Sequence, residues 1–206
     1  MTAHTLSLKC KCGAIEGTAE LITPKTAGRL VCYCIDCQTY AYALERPDVL
    51  DERGGTEVLQ VSPAQVKFTQ GEDKLACMRL SPKGPLRWYC SSCHTPVGNA
   101  LDKPGMPFLG LIHSIIDDPD AHAKTGPILG KVNASKARGG CPEDAHPGMP
   151  KGVLFKSAMM LARHKLAGRA KPSPIRNADG SLVAEPRILT KEERIQFRER
   201  ASGATG

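Results

Sequence analysis

The sequence predicts a mainly β domain of short antiparallel strands built around metal-binding thiols, followed by a basic extension with one or two helices. Three observations predict it. Residues 5–116 are short apolar runs broken by Gly and Pro, seven of the nine cysteines fall in three tight clusters, and the excess positive charge lies past residue 150.

The strands follow from pattern and punctuation. Leu6-Ser7-Leu8-Lys9-Cys10 alternates, as a half-buried strand does, and 29–33, 57–61, 74–80, 86–89 and 108–116 are further apolar runs of strand length. Pro24, Gly54-Gly55, Gly71, Pro82–Pro85 and Pro104–Pro107 fall between these runs, at turns. Hydrophobic residues make up 41% of the chain but aromatics only 4%, so the core is expected to lack large anchors and to need another source of cohesion.

Residues 1–116 form the predicted β domain and residues 117–206 the extension. Within the extension, 117–150 read as a surface loop crossed by few contacts, least ordered at Gly139–Pro142. A helix is expected over about 152–167, with Leu154, Ala158, Leu161 and Lys165 at helical spacing and Gly168 as its stop. A hairpin over about 174–188 would turn at Asp179-Gly180. Thr190–Glu193 is a capping box opening a helix over about 191–200, and Ala201–Gly206 reads as a frayed tail.

The clusters are Cys10-Lys-Cys12, Cys32-Tyr-Cys34-Ile-Asp-Cys37 and Cys90-Ser-Ser-Cys93. Residues i and i+2 of a strand face one side, and C-x-x-C brings two sulfurs together across a turn, so each cluster can offer thiolates to one ion. A closed structural zinc takes four protein ligands and a catalytic one takes three, which divides seven thiols naturally. Two pairs then make the closed site, and the three-thiol knuckle makes the open one. Joining Cys10/Cys12 to Cys90/Cys93 closes a loop of about eighty residues, a cost that metal binding on the order of 10 kcal/mol can offset.

Iron–sulfur or redox chemistry and disulfides are the alternatives for these thiols. Met1–Lys9 has no signal-peptide pattern and no stretch approaches a membrane span, so a cytoplasmic protein is expected, where metal explains clustered thiols better than disulfides. Cys90-Ser-Ser-Cys93-His94 also matches the c-type haem attachment pattern, which needs export and leaves five clustered cysteines without a role. Cys77 reads as a small buried hydrophobe and Cys141 as a free exposed thiol. His94 is a candidate fourth ligand or a turn residue, whereas His113, His122, His146 and His164 show no ligand spacing.

With Gly13 directly after the first knuckle, Thr95-Pro96-Val97-Gly98 after the third and Phe68–Lys74 leading into the last strand pair, residues 6–100 resemble the glutathione-dependent formaldehyde-activating enzyme (GFA) family, also called CENP-V-like. The resemblance implies a β-tent fold of small antiparallel sheets. It also implies two Zn²⁺ per chain, one structural at Cys10, Cys12, Cys90 and Cys93, the other catalytic at Cys32, Cys34 and Cys37. His94 stands where the family usually has Gly, and Gln38-Thr39-Tyr40-Ala41 stands where Arg and Gly often follow the second knuckle.

The function implied is that of a carbon–sulfur lyase of the S-(hydroxymethyl)glutathione synthase type, with a small-molecule thiol and a small aldehyde as partners. Arg29, Lys83 and Arg87 are candidates for substrate carboxylates, each weighed against being a solvated surface charge. The alternative is a non-enzymatic, zinc-stabilised binding module. Residues 151–206 carry twelve Lys/Arg against five Asp/Glu, which would suit nucleic acid, an anionic membrane or an acidic partner. A helix packed on the β domain with a solvated basic face is the plainer reading of that segment. Aromatic interleaving for base stacking is missing from it.

Overall fold

A computed structural model describes residues 2–203 and is mainly β, with two sheets and four helices. Strand β1 (His4–Lys9) pairs antiparallel with β2 (Glu16–Ile22), and β2 with β5 (Val66–Gln70), to make a three-stranded sheet. The eight-stranded sheet is built on β3 (Gly28–Cys32), β4 (Thr56–Val61), β6 (Leu75–Arg79), β7 (Leu86–Cys90), β8 (Pro96–Ala100) and β9 (Leu109–Ile112), in the order β3-β4-β9-β8-β7-β6, all antiparallel. Parallel edges complete it: β10 (Ile128–Val132) against β3 and the two-residue β11 (Arg187–Ile188) against β6.

Alternation along each strand sorts the large sheet's side chains into two cores. Leu59, Val61, Leu75, Cys77, Leu86, Trp88, Cys90, Leu109 and Leu111 face the small sheet, where they meet Leu6, Leu8, Ile15 and Phe68. Leu30, Cys32, Val58, Met78 and Ile112 face the other way, onto Tyr40 and Leu44 of the α1 segment (helix Ile35–Ala43) and Val153 of α3 (Lys151–Leu166). The result is three layers, small sheet on large sheet on helices. Trp88 is fully buried between the sheets, a large anchor despite the low aromatic content.

Several expectations are corrected. The segment 117–150 is no loop of few contacts: it contains a short helix α2 (Ala121–Thr125) and β10, and Lys131–Ser135 bonds back to residues 146–148. Helix α1 begins at Ile35, inside the second knuckle, in a region read as strands and turns. The helical face proposed through Leu154 and Ala158 is exposed; Val153, Met160 and His164 are the buried positions of α3. The strand expected over 108–116 stops at Ile112 and passes into a 3₁₀ turn at His113–Ile115.

The hairpin expected near Asp179-Gly180 appears as a tight turn, with Asn177 N–H donating to Ser181 O (2.9 Å) and Arg176 bridging Leu182. Helix α4 (Lys191–Ser202) opens with the capping box, Glu193 N–H donating to Thr190 Oγ1 (3.1 Å) and Thr190 N–H to Glu193 Oε2 (2.9 Å). It runs past its expected end, and Ala201, assigned to a frayed tail, is fully buried. The last three residues of that tail, 204–206, lie outside the described residues. No helix among the described residues is long and apolar enough to cross a membrane.

Helix α4 packs along α1, and Arg198 pairs with Asp36 (2.9 Å). Thr190→Ala is therefore expected to cost about 1 kcal/mol of helix stability. Hydrogen exchange should show the loss as faster exchange at Arg194–Arg200, with the β4 and β9 amides unchanged.

Candidate metal centres

The first centre sits at the end of two hairpins. Cys10 follows β1, and a turn closed by Gly13 N–H to Cys10 O (2.8 Å) and Cys10 N–H to Ile15 O (3.0 Å) leads into β2. Gly13 takes φ +73°, a left-handed value that suits glycine. Across the sheets, Cys90 ends β7, and Cys90 N–H to Thr95 O (3.0 Å) with His94 N–H to Cys90 O (2.8 Å) closes the turn into β8. The Sγ atoms of Cys10, Cys12, Cys90 and Cys93 all lie within 4.8 Å of one another.

That spacing fits zinc. Sulfurs bound at 2.3 Å to a tetrahedral ion stand about 3.8 Å apart, and Cys10–Cys12 and Cys12–Cys90 measure 3.5 and 4.0 Å. Amide and hydroxyl donors already serve the sulfurs: Ile15 N–H reaches Cys10 Sγ at 3.2 Å, and Thr95 Oγ1 lies 3.1 Å from Cys93 Sγ. Against the effect of its burial, the Thr95 hydroxyl and amide bring the Cys93 thiol down to about 6, while burial pushes Cys90 up to about 12.

The second centre lies on the opposite face of the large sheet. Cys32 is the last residue of β3, Cys34 is the N-cap of α1 and Cys37 lies in its first turn, with Cys37 N–H donating to Cys34 Sγ (3.4 Å). The three Sγ atoms lie within 4.8 Å of one another at the positive end of the helix, a favourable place for thiolates. Cys32 and Cys37 are buried and Cys34 is partly exposed. Bonds from the Cys34 and Cys37 thiols, helped by the Asn133 amide, hold Cys32 down to about 2. The same contacts with Cys32 raise Cys34 and Cys37, so of the three sulfurs Cys32 is the one that most favours the thiolate form.

Two polar groups border this cluster. Asn133 Nδ2 donates to Cys32 Sγ (3.4 Å). Thr56 is the antiparallel partner of Cys32, so both side chains share a sheet face, and Thr56 Oγ1 is buried with no hydrogen-bond partner among the described residues. An all-sulfur donor set beside an uncommitted hydroxyl fits a zinc ion with room for a further ligand.

Both clusters expected from the sequence are thus brought together, and all nine cysteines are free. Cys90 and Cys93 share their cluster with Cys10 and Cys12, which replaces the haem-attachment reading. His94 is exposed, edge-on to Tyr89 with ring centroids 6.2 Å apart, and takes φ +56°. Its ring is a turn side chain rather than a fourth ligand. Cys77 is buried, which pushes its thiol up to about 12, and Cys141 is exposed.

The cationic candidates divide. Arg29 is buried, gripping Glu57 through Nε (2.8 Å) and Nη2 (3.0 Å) and Gly126 O through Nη1. Arg87 is buried over the Tyr40 ring and bonds Asn99 Oδ1 (3.1 Å). Neither is a solvated surface charge, and Arg29 is fully engaged. Lys83 is exposed.

Residues 2–186 match the family model described as a family of unknown function, DUF6151. The chain belongs to that family. No curated protein matches it. Among solved structures it is similar to a Rhodobacter sphaeroides protein determined as a structural genomics target, 17% identical, with 60% of this chain and 97% of the other covered at a TM-score of 0.39.

Sequence reasoning missed Asn133, Thr56 and Arg46. The Arg46 guanidinium bonds Thr95 Oγ1 (3.0 Å) and approaches Cys93 O (3.4 Å), which ties the end of the α1 segment to the four-thiol centre. Only the backbone marks Asn133 as a special position, through a left-handed φ of +55° that asparagine tolerates.

Three outcomes follow from this geometry. Metal must displace the protons that Cys34 and Cys37 hold, so affinity at the three-thiol centre falls as pH falls, by about two decades per pH unit below the raised thiol range; chelator competition across neutral pH measures the slope. Asn133→Ala should weaken that centre about tenfold or more and leave the four-thiol centre unchanged. His94→Gly, which relieves a left-handed non-glycine, should raise stability by about 1 kcal/mol in a thermal melt.

Proposed function

We propose that the chain binds two Zn²⁺, closed at Cys10, Cys12, Cys90 and Cys93 and open at Cys32, Cys34 and Cys37, and that the open site joins a small-molecule thiol to a small aldehyde or runs the reverse. The observation that carries this reading is the three-sulfur cluster, short of one ligand, with the unpartnered Thr56 hydroxyl on its sheet face. The GFA-like order of the knuckles agrees with it. Zinc held there supplies a Lewis acid that favours the thiolate form of a bound thiol and polarises a carbonyl.

In the reaction, a carbon–sulfur bond forms between the thiol sulfur and the carbonyl carbon, and the thiol proton passes to the carbonyl oxygen. The residues of the chain set the conditions for that step. Helix α1 directs its positive end at the cluster, and Cys34 provides the exposed edge from which a thiol approaches. Asn133 holds Cys32 in place, and the buried Thr56 hydroxyl, with no partner of its own among the described residues, lies on the same sheet face. A thiolate-rich centre is a weaker Lewis acid than a histidine one, which suits thiol addition better than hydrolysis.

The cover over the site favours a second reading, in which both zinc ions only stabilise a binding module: Cys32 and Cys37 are buried, and α4 lies along α1. One pair of measurements separates the two. Metal analysis should return two zinc ions per chain, falling towards one in Cys34→Ser. Aldehyde-dependent loss of free thiol should proceed with the parent protein and drop by at least about a hundredfold in Cys34→Ser; equal rates would leave the binding module standing and end the catalytic reading.

A further inference from the structure

Helix α3 carries a surface that neither metal centre uses. Its inward face is fixed by buried Val153, Met160 and His164, with Ser157 Oγ donating to Gln60 Oε1 (2.8 Å) and His164 Nε2 to Thr26 O (3.0 Å). At about 100° per residue, Phe155, Met159, Ala162 and Leu166 recur at i, i+4, i+7 and i+11 on the opposite side. Phe155 is 67% exposed, Met159 40% and Leu166 90%. The protein therefore presents an apolar stripe outwards from Phe155 to the end of the helix, about 16 Å long.

Cations line both edges of the stripe. Lys151 and Lys165 lie on one side and Lys156 and Arg163 on the other, all exposed. From Ala145 to Ala178 the chain holds seven Lys/Arg and no Asp or Glu. Beside Phe155 and Met159, a groove of about 430 Å³ continues the surface to Pro24, Lys25 and Leu129, adding apolar area and one more cation.

The occupant must take apolar side chains in its centre and negative charge at its rim. A second copy of α3 offers the first and opposes the second, because pairing two stripes sets cation rows together with no carboxylate on either helix. Nucleic acid offers the second and has no use for Leu166 or Met159. An anionic bilayer surface meets both demands, since the stripe enters the acyl boundary while Lys and Arg reach the headgroups. We propose that α3 docks the protein, lying flat, on an anionic lipid surface.

Vesicle flotation of the full-length protein tests this directly. Vesicles of phosphatidylcholine mixed with phosphatidylglycerol should carry the protein, phosphatidylcholine alone should not, and added salt should release it. Phe155→Ser with Leu166→Ser should weaken binding at least about tenfold, and Lys156→Gln or Arg163→Gln about fivefold each. These side chains are exposed, and circular dichroism and zinc content of each variant should match the parent. Equal binding to both vesicle types, no binding to either, or full binding by the double serine variant would each overturn the proposal. So would a dimer or a DNA complex abolished by the serine pair in a protein that ignores vesicles.

Discussion

The alternation of side chains along the large sheet decides where both thiol centres lie. In β7, Leu86, Trp88 and Cys90 point between the sheets, and Tyr89, on the other face, packs towards α1. In β3 and β4, Cys32 and Val58 take the helix-side face, while Leu59 and Val61 take the inter-sheet core. Because the period is two, a slip of one residue in β3 or β7 would carry its cysteine to the wrong face. Buried apolar partners on both faces make such a slip costly, so the ordinary hydrophobic pattern also specifies the position of the sulfurs.

Helix α1 connects the two faces. It begins at Cys34 in the three-thiol cluster, and just beyond its end Arg46 reaches around to Thr95 and Cys93 of the four-thiol cluster. Tyr40, midway, donates its hydroxyl to Trp88 O (2.6 Å), which fixes the helix to β7. Gln38 is buried and bonds the carbonyls of Tyr33 and Lys136 at 2.9 Å each. The backbone at Gly54 presses so close that a Cβ there would stand 2.5 Å from Gln38 Oε1, at φ +83°. Glycine at this position lets the segment seal the buried amide, and the sealed amide in turn holds the knuckle rigid.

What the sequence made legible was chemistry of short range. The cysteine clusters, the β1 alternation, the Thr190 capping box and the Gly168 stop each declare themselves within a few residues. Helix α1 did not, because Ile35–Ala43 has Cys37–Ala41 buried all round and so shows no amphipathic period, and because its N-cap is a cysteine. Strand β10 was hidden by Gly130 and Lys131 and by its dependence on a parallel partner almost a hundred residues away. For α3, apolar spacing revealed the helix and misled about its face, since this chain keeps one apolar stripe outside and buries the other side.

The same long-range pairing explains why the three-thiol centre cannot be understood from its own knuckle. The first 116 residues contain every clustered cysteine, yet the amide at Cys32 comes from Asn133. Its position is over-determined: Tyr33 N–H donates to Val132 O (3.0 Å), Asn133 N–H to Gly148 O (2.8 Å) and Ala134 N–H to His146 O (2.9 Å). The left-handed backbone at Asn133 suits glycine better, but glycine has no amide to offer the sulfur. Asparagine is among the few side chains that tolerate that backbone, and it also supplies a donor, so the residue type there answers two demands at once. Strand β10 thus sets a backbone conformation, that conformation aims one amide, and the extension becomes part of the centre it borders.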